Sequence, residues 1–131
     1  MRIIKFRVWD LENKTWENPS ILEVWNDSGK LEPFKYIKTG KLNPLYSPIE
    51  NYIIQQFTGV YDKNQKEIYE GDIIKWIDPS TIHENVLVTY DEVSAGFKLN
   101  LSWNKCSFSH ISRERIEILG NIYENPELLE K

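Results

Sequence analysis

Cysteine is almost missing from this sequence: Cys106 is the single one in 131 residues. No disulfide can form within the chain, and that usage fits a reducing compartment. Histidine is nearly as scarce. His83 and His110, with one thiol, do not supply ligands at the short spacings of a structural zinc site. The six glycines form no phosphate-cradling loop, so nucleotide hydrolysis has no support. Ser102, Ser107, Ser109 and Ser112 lack the glycine pattern of a nucleophile elbow. No apolar run approaches the ~20 residues that cross a bilayer. The opening run, Met1-Arg2-Ile3-Ile4-Lys5-Phe6-Arg7, carries charges among its apolar residues and does not read as a secretory leader, so a cytoplasmic location is expected.

What is present points to sheet. The chain is 40% hydrophobic and 13% aromatic, with five Trp, seven Tyr and five Phe. Aromatic and β-branched side chains suit a pleated, half-buried surface, and this much apolar material argues against disorder. The formal net charge is -4 and is unevenly placed. Residues 1–56 hold 8 Lys/Arg against 7 Asp/Glu, and residues 57–131 hold 8 against 13. Phosphate backbones are bound by basic clusters that displace counterions, which the acidic second half does not offer.

Period-two alternation predicts a strand over residues 2–9, with Ile4, Phe6 and Val8 on one face. A turn and a second strand around Trp16 follow. Residues 21–25 and 31–37 read as a hairpin around Asn26-Asp27-Ser28-Gly29, with Pro33 making the second strand an edge or delaying its start. Residues 38–48 read as loop. Residues 51–57 fit a strand, or a helical turn, and Thr58-Gly59 is expected to end it. Short strands are then expected at residues 67–69, 73–77, 85–90, 96–101 and 115–123, with a bulge or bend at Gly120. Asn125 and Pro126 have helix-start chemistry, so a short C-terminal helix is expected, capped by Asn125. The spacing of strands predicts a mainly β fold: a small, bent antiparallel sheet or barrel-like arrangement, with an SH3-like barrel as one form for the second half. One domain over residues 1–131 is expected, in two lobes of about 1–56 and 57–131 around a shared core.

Three segments resemble the YopX family of phage and prophage proteins. The first, Ile4-Lys5-Phe6-Arg7-Val8-Trp9-Asp10, contributes Arg7, Trp9 and Asp10. The second, Phe57-Thr58-Gly59-Val60-Tyr61-Asp62-Lys63-Asn64-Gln65-Lys66-Glu67-Ile68-Tyr69-Glu70-Gly71-Asp72-Ile73, contributes Thr58, Gly59, Asp62, Glu67, Tyr69, Glu70, Gly71 and Asp72. The third, Gly120-Asn121-Ile122-Tyr123-Glu124-Asn125-Pro126-Glu127-Leu128-Leu129, contributes Gly120, Asn121, Tyr123 and Pro126. The family often has glycine where this chain has Gln65, so the turn is expected to use Asn64 and shift its type. The resemblance implies a small β-rich fold, a phage or prophage origin and a bacterial cytoplasm. It implies no activity, no cofactor and no catalytic residue.

Residue chemistry leaves three functional readings. Glu67, Glu70 and Asp72 surround Tyr69, and paired carboxylates can share acid–base work; a solvated turn is the preferred reading of them. Asp62, Asn64 and Glu67 echo a calcium loop but lack its later ligands, so a plain turn is preferred there too. Cys106 with His110 has no orienting partner at a recognisable spacing. Lys30, Phe34, Lys35, Tyr36, Lys38 and Lys41 form the basic–aromatic stretch, which can stack single-stranded bases in a basic groove; a lysine-rich edge hairpin is preferred. Trp9, Trp16, Trp25, Trp76 and Trp103 are mostly core, with Trp9 and Trp25 as candidates to anchor an interface. The leading expectation is therefore a non-enzymatic phage accessory protein that binds a host or phage protein, or a second copy of itself. A single-strand nucleic-acid binder comes next, then a small enzyme using the clustered carboxylates. No cofactor, metal or membrane partner is expected.

Overall fold

Strands form almost wherever β-branched and aromatic residues alternate. The structure is a computed structural model. It describes residues 4–17, 22–25, 36–39, 47–48, 50, 52–101 and 104–130, with residues 17, 22–25, 36–39, 47–48 and 110 in backbone only. The chain divides into two units, Lys5–Gln55 and Gln56–Lys131 with Met1–Ile4.

In the first unit, β1 (Phe6–Asp10) pairs antiparallel with β2 (Thr15–Glu17), and Trp9 lies opposite Trp16. Their rings meet edge to face at 4.8 Å, and the Arg7 guanidinium sits 4.3 Å over Trp16. The expected single inward face of β1 does not hold. Ile4 is exposed, while neighbouring Val8 and Trp9 are both buried. Adjacent strand residues point to opposite faces, so this end of β1 is covered on both sides. Trp9 is thereby a packing residue rather than a free interface anchor.

A separate sheet of the same unit has the order β3 (Leu22–Trp25), β4 (Tyr36–Thr39), β5 (Ser47–Pro48). β4 lies between β3 and β5 rather than at an edge of this sheet, and Pro33 lies outside the described residues. The turn expected at residues 26–29 lies outside the described residues. β6 (Tyr52–Tyr61) settles the choice left open for residues 51–57 in favour of strand, and it continues through Thr58-Gly59 instead of ending there. Gly59 takes a φ of +88°, and the pairing register shifts between Phe57 and Tyr61. The glycine marks a bulge, and the Thr58 hydroxyl accepts from the Val60 N–H and donates to the Ile68 carbonyl.

In the second unit, β6 pairs with β7 (Glu67–Tyr69). A five-stranded antiparallel sheet follows, made of β8 (Asp72–Ile77), β9 (Ile82–Asp91), β10 (Gly96–Asn100), β11 (Lys105–Ser107) and β12 (Ile116–Asn121). Its order is β11-β10-β9-β8-β12. The fold is mainly β and antiparallel. Register shifts at Ile74/Trp76 and at Ile118/Gly120 bend the sheet, the second at the glycine expected to mark a bend. Ile68, Ile74, Val86, Val88, Leu99 and Ile116 form the core, with Val60, Trp76, Phe108 and Ile118 packed around them. Each fully buried aliphatic side chain contributes about 1.5–3 kcal/mol.

The C-terminal helix is a single 3₁₀ turn, Pro126–Leu129, with proline at its start as expected. Asn125 does not cap it through its side chain. Its Oδ1 instead accepts the Asn121 N–H at 3.1 Å. No helix among the described residues is long and apolar enough to cross a membrane.

The β6–β7 hairpin corrects the expectation for Gln65. The turn keeps the form that suits glycine, and Gln65 itself enters the left-handed region at φ +63°. Its N–H bonds the Asp62 carbonyl, and the Asp62 N–H bonds the Lys66 carbonyl. A tight turn closed by a left-handed residue matches the twist of the flanking strands. A non-glycine residue costs about 1–2 kcal/mol in that conformation. Gln65→Gly is expected to raise stability by ~0.5–1 kcal/mol after the added unfolded-chain entropy is subtracted. Urea midpoints of the two proteins check it.

Candidate functional site

The second and third family-like segments converge through two buried aspartates. Asp62 directly follows β6 and is 1% exposed. Its Oδ1 accepts the N–H groups of Asn64 (2.8 Å) and Lys66 (2.9 Å), and its Oδ2 accepts that of Ile118 on β12 (3.1 Å). Lys63 N–H adds a bond to the Ile116 carbonyl. One carboxylate thus shapes a hairpin and ties it to a strand 56 residues away. Both of its oxygens are engaged by backbone, so the calcium-loop echo resolves into a turn clamp.

Asp72 opens β8 and is 2% exposed. It accepts the Tyr69 N–H at 2.8 Å and the Asn121 side-chain amide at 3.2 Å. Between Tyr69 and Asp72, Gly71 takes φ +87°, donates to the Val88 carbonyl and accepts from Ile122 N–H. Asn121 Oδ1 accepts the Tyr123 N–H, and Glu67 receives the Tyr69 hydroxyl at 3.4 Å. Asp72 is therefore buried rather than solvated, which corrects that part of the turn reading, while Gly71 makes the bend and Asp72 bonds nearby backbone as a turn residue does. Glu67, Glu70 and Asp72 each hold a different group. In the first unit, Asp10 is likewise buried and accepts the Glu12 and Asn13 N–H groups, and Arg7 donates to Gln55 at 2.8 Å.

Glu70 stands apart from these clamps. Its Oε1 accepts the Gln56 N–H at 2.9 Å, and its own N–H bonds the Gln56 carbonyl. The side chain is half-buried and lines an open cleft of about 480 Å³ with Gln56, Thr58, Tyr90, Ala95, Gly96 and Phe97. Among the described residues no lysine or arginine pairs with it. Tyr90 and Phe97 are directly opposed across β9 and β10, with ring centroids 5.3 Å apart in an edge-to-face arrangement. Tyr90 remains 45% exposed. β11 pairs only with Lys98, Leu99 and Asn100, so Gly96 and Phe97 have no ladder partner on that side among the described residues.

A third cluster lies at the β8–β9 connection. His83 stacks on Trp76 at 4.8 Å and shares a 3.2 Å contact with Asp78. The Ser80 backbone N–H, then its hydroxyl, then His83 hold the Asp78 carboxyl at about 2, below its ordinary 3.8. The folded value is the lower one, so this contribution to stability is present above pH 3.8 and is lost as the pH falls toward 2. Carboxyl NMR is expected to show Asp78 titrating near 2, and Ser80→Ala should move it up toward 3.8.

The model of the family described as YopX protein matches residues 5–130. The chain belongs to the YopX family. Solved YopX-like structures agree with it in fold. Protein EF1440 from Enterococcus faecalis is 29% identical, with a TM-score of 0.66 over 99% of this chain and 100% of that one. Protein yopX from Bacillus subtilis is 21% identical, with a TM-score of 0.61 over the same shares. No curated protein matches the chain in sequence.

Of the YopX-like residues, Thr58, Asp62, Tyr69, Glu70, Gly71, Asp72, Gly120 and Asn121 meet in the second unit, while Arg7, Trp9 and Asp10 lie in the first. Tyr123 and Pro126 border the C-terminal turn. In the basic–aromatic stretch, Lys30, Phe34, Lys35 and Lys41 lie outside the described residues, as do the side chains of Tyr36 and Lys38 and that of His110. Sequence reasoning missed Tyr90, Gly96 and Phe97. The hairpin holding them was expected, but the register that makes Tyr90 and Phe97 a cross-strand pair depends on Ala95 at φ +55°, which alternation does not reveal.

Proposed function

We propose that this YopX-family chain is a non-enzymatic phage or prophage accessory module that binds a protein partner in the bacterial cytoplasm, through the cleft beside Tyr90. The observation that carries this reading is Tyr90, 45% exposed and braced by Phe97, where β10 has no ladder partner on its β11 side at Gly96 and Phe97 among the described residues. Rigid aromatics supply much of the energy of protein interfaces, and an uncovered strand offers backbone groups to an extended segment. Support also comes from Asp62 and Asp72, whose carboxylates hold the fold's own backbone.

Gly96 provides the test. A Cβ added there meets nothing within 4 Å, so Gly96→Val adds bulk to the cleft from a position with open space around the Cβ. Tagged full chain is used for capture from the bacterial host with and without nuclease. The expected result is a stoichiometric protein that survives nuclease, is kept by Ile82→Thr at a different exposed site, and is lost with Gly96→Val. Retention by Gly96→Val overturns the cleft as contact surface. Loss with nuclease transfers the function to the basic stretch of residues 30–41.

A further inference from the structure

We infer that the Glu70–Tyr90 cleft receives a cationic side chain, an arginine or lysine carried on an extended segment of the partner. This rests on the protein-binding reading above and narrows it to a chemistry. Several observations converge. Glu70 is held in place by the Gln56 N–H and lacks an ion-pair partner among the described residues. Of the two acidic residues at the β9–β10 turn, Asp91 is already met by Lys98 at 3.5 Å and Lys105 at 3.8 Å, and exposed Glu92 does not line the cleft. Glu70 is thus the one carboxylate among the residues lining the cleft, and it is placed to meet a cation that enters there.

The cleft wall supplies the second half of a cation site. The exposed Tyr90 ring, fixed edge-on by Phe97, presents a π surface in the same cavity as the carboxylate. A guanidinium or ammonium gains from the negative face of an aromatic ring, and more so where a carboxylate neutralises it and water is partly excluded. The small residues Ala95 and Gly96 leave room for a long aliphatic stem. The charge of the surrounding chain points the same way, with 8 Lys/Arg against 13 Asp/Glu over residues 57–131. That field favours a basic segment and disfavours phosphate or an acidic peptide.

The test uses isotope-labelled full-length protein and two short capped peptides. One has arginine at its centre and the other has citrulline, which keeps the shape and loses the charge. The arginine peptide is expected to give saturable amide shifts at Gln56, Glu70, Tyr90, Gly96 and Phe97. The citrulline peptide is expected to bind at least about tenfold more weakly, as is the arginine peptide to Glu70→Gln, in keeping with the worth of a desolvated cation–π and charge pair. Glu70→Gln keeps an acceptor for the Gln56 N–H, and Tyr90→Leu, at an exposed ring, gives a second loss that does not depend on Glu70. Equal affinity for the two peptides, shifts lying elsewhere, or no saturation at ~10 mM overturns the inference. If a captured protein is still lost with Gly96→Val while arginine and citrulline bind alike, the protein-binding reading stands and the cationic occupant alone fails.

Discussion

Asp62→Ala is expected to lower the unfolding free energy by about 3–5 kcal/mol. The carboxylate takes three backbone N–H groups, and bonds to a charged acceptor are worth roughly 1.5–3 kcal/mol each before rehydration is counted. Asn64 and Lys66 lie on an exposed turn, so water can replace part of what they lose. Ile118 sits in β12, where its N–H was directed at the buried Oδ2, and that bond is the expensive one to break. Asp62→Asn should cost less, about 2–3 kcal/mol. It keeps one oxygen but must place an NH₂ group against at least one N–H donor. Urea unfolding measures both variants, and hydrogen exchange locates the loss: the Ile118 amide should lose protection with the Asn64 and Lys66 amides. A change under ~1 kcal/mol for Asp62→Ala would show that the hairpin bonds hold β12 without the carboxylate.

Gly120→Val is expected to cost about 2–3 kcal/mol through overpacking. A Cβ at this position would stand 2.5 Å from Asn125 Oδ1, 2.9 Å from its Cγ and 2.9 Å from Leu128 Cδ1. The Asn125 side chain cannot swing away freely, because its Oδ1 holds the Asn121 N–H and its own N–H is bound to the Asn121 carbonyl at 2.7 Å. Asn125→Ala alone should cost ~1 kcal/mol from the lost acceptor. The double variant should be less destabilised than the sum by about 1 kcal/mol or more, because the second change removes the atoms struck by the first. Simple additivity would place the strain elsewhere.

These two sites show where the sequence was readable and where it was not. Strand positions follow from local alternation, and β7, β8 and β10 lie within a residue or so of their expected places. Gly120 as a bend was legible because glycine inside a strand has few other uses. Thr58-Gly59 misled for the same reason. Glycine also allows a bulge that a strand passes through, and what decides between stopping and continuing is whether the displaced N–H finds an acceptor. The Thr58 hydroxyl provides that acceptor two residues away and is itself anchored on the Ile68 carbonyl across the hairpin, a pairing that alternation does not reveal. Asp62 and Asp72 looked like surface turn residues because charged residues normally are. Their partners, Ile118 and Asn121, lie 56 and 49 residues further along, so their burial is invisible locally. The cleft was the least legible element. Tyr90 and Phe97 are ordinary strand residues until the register is known, and Glu70 differs from Glu67 only in what it touches.

The reach of Asp62 and Asp72 to β12 also governs how the chain acquires its structure during synthesis. Both carboxylates emerge from a ribosome well before Ile118 and Asn121 do, so the bonds to those two residues form last. β8 waits as well, since β12 is its neighbour on one side. A growing chain can close the local β6–β7 and β9–β10 hairpins early, but the sheet cannot lock before residues 116–125 arrive. Contacts this distant in sequence slow the search for the native state. Folding of the second unit is accordingly set by β12, whose synthesis must precede the locking of the sheet.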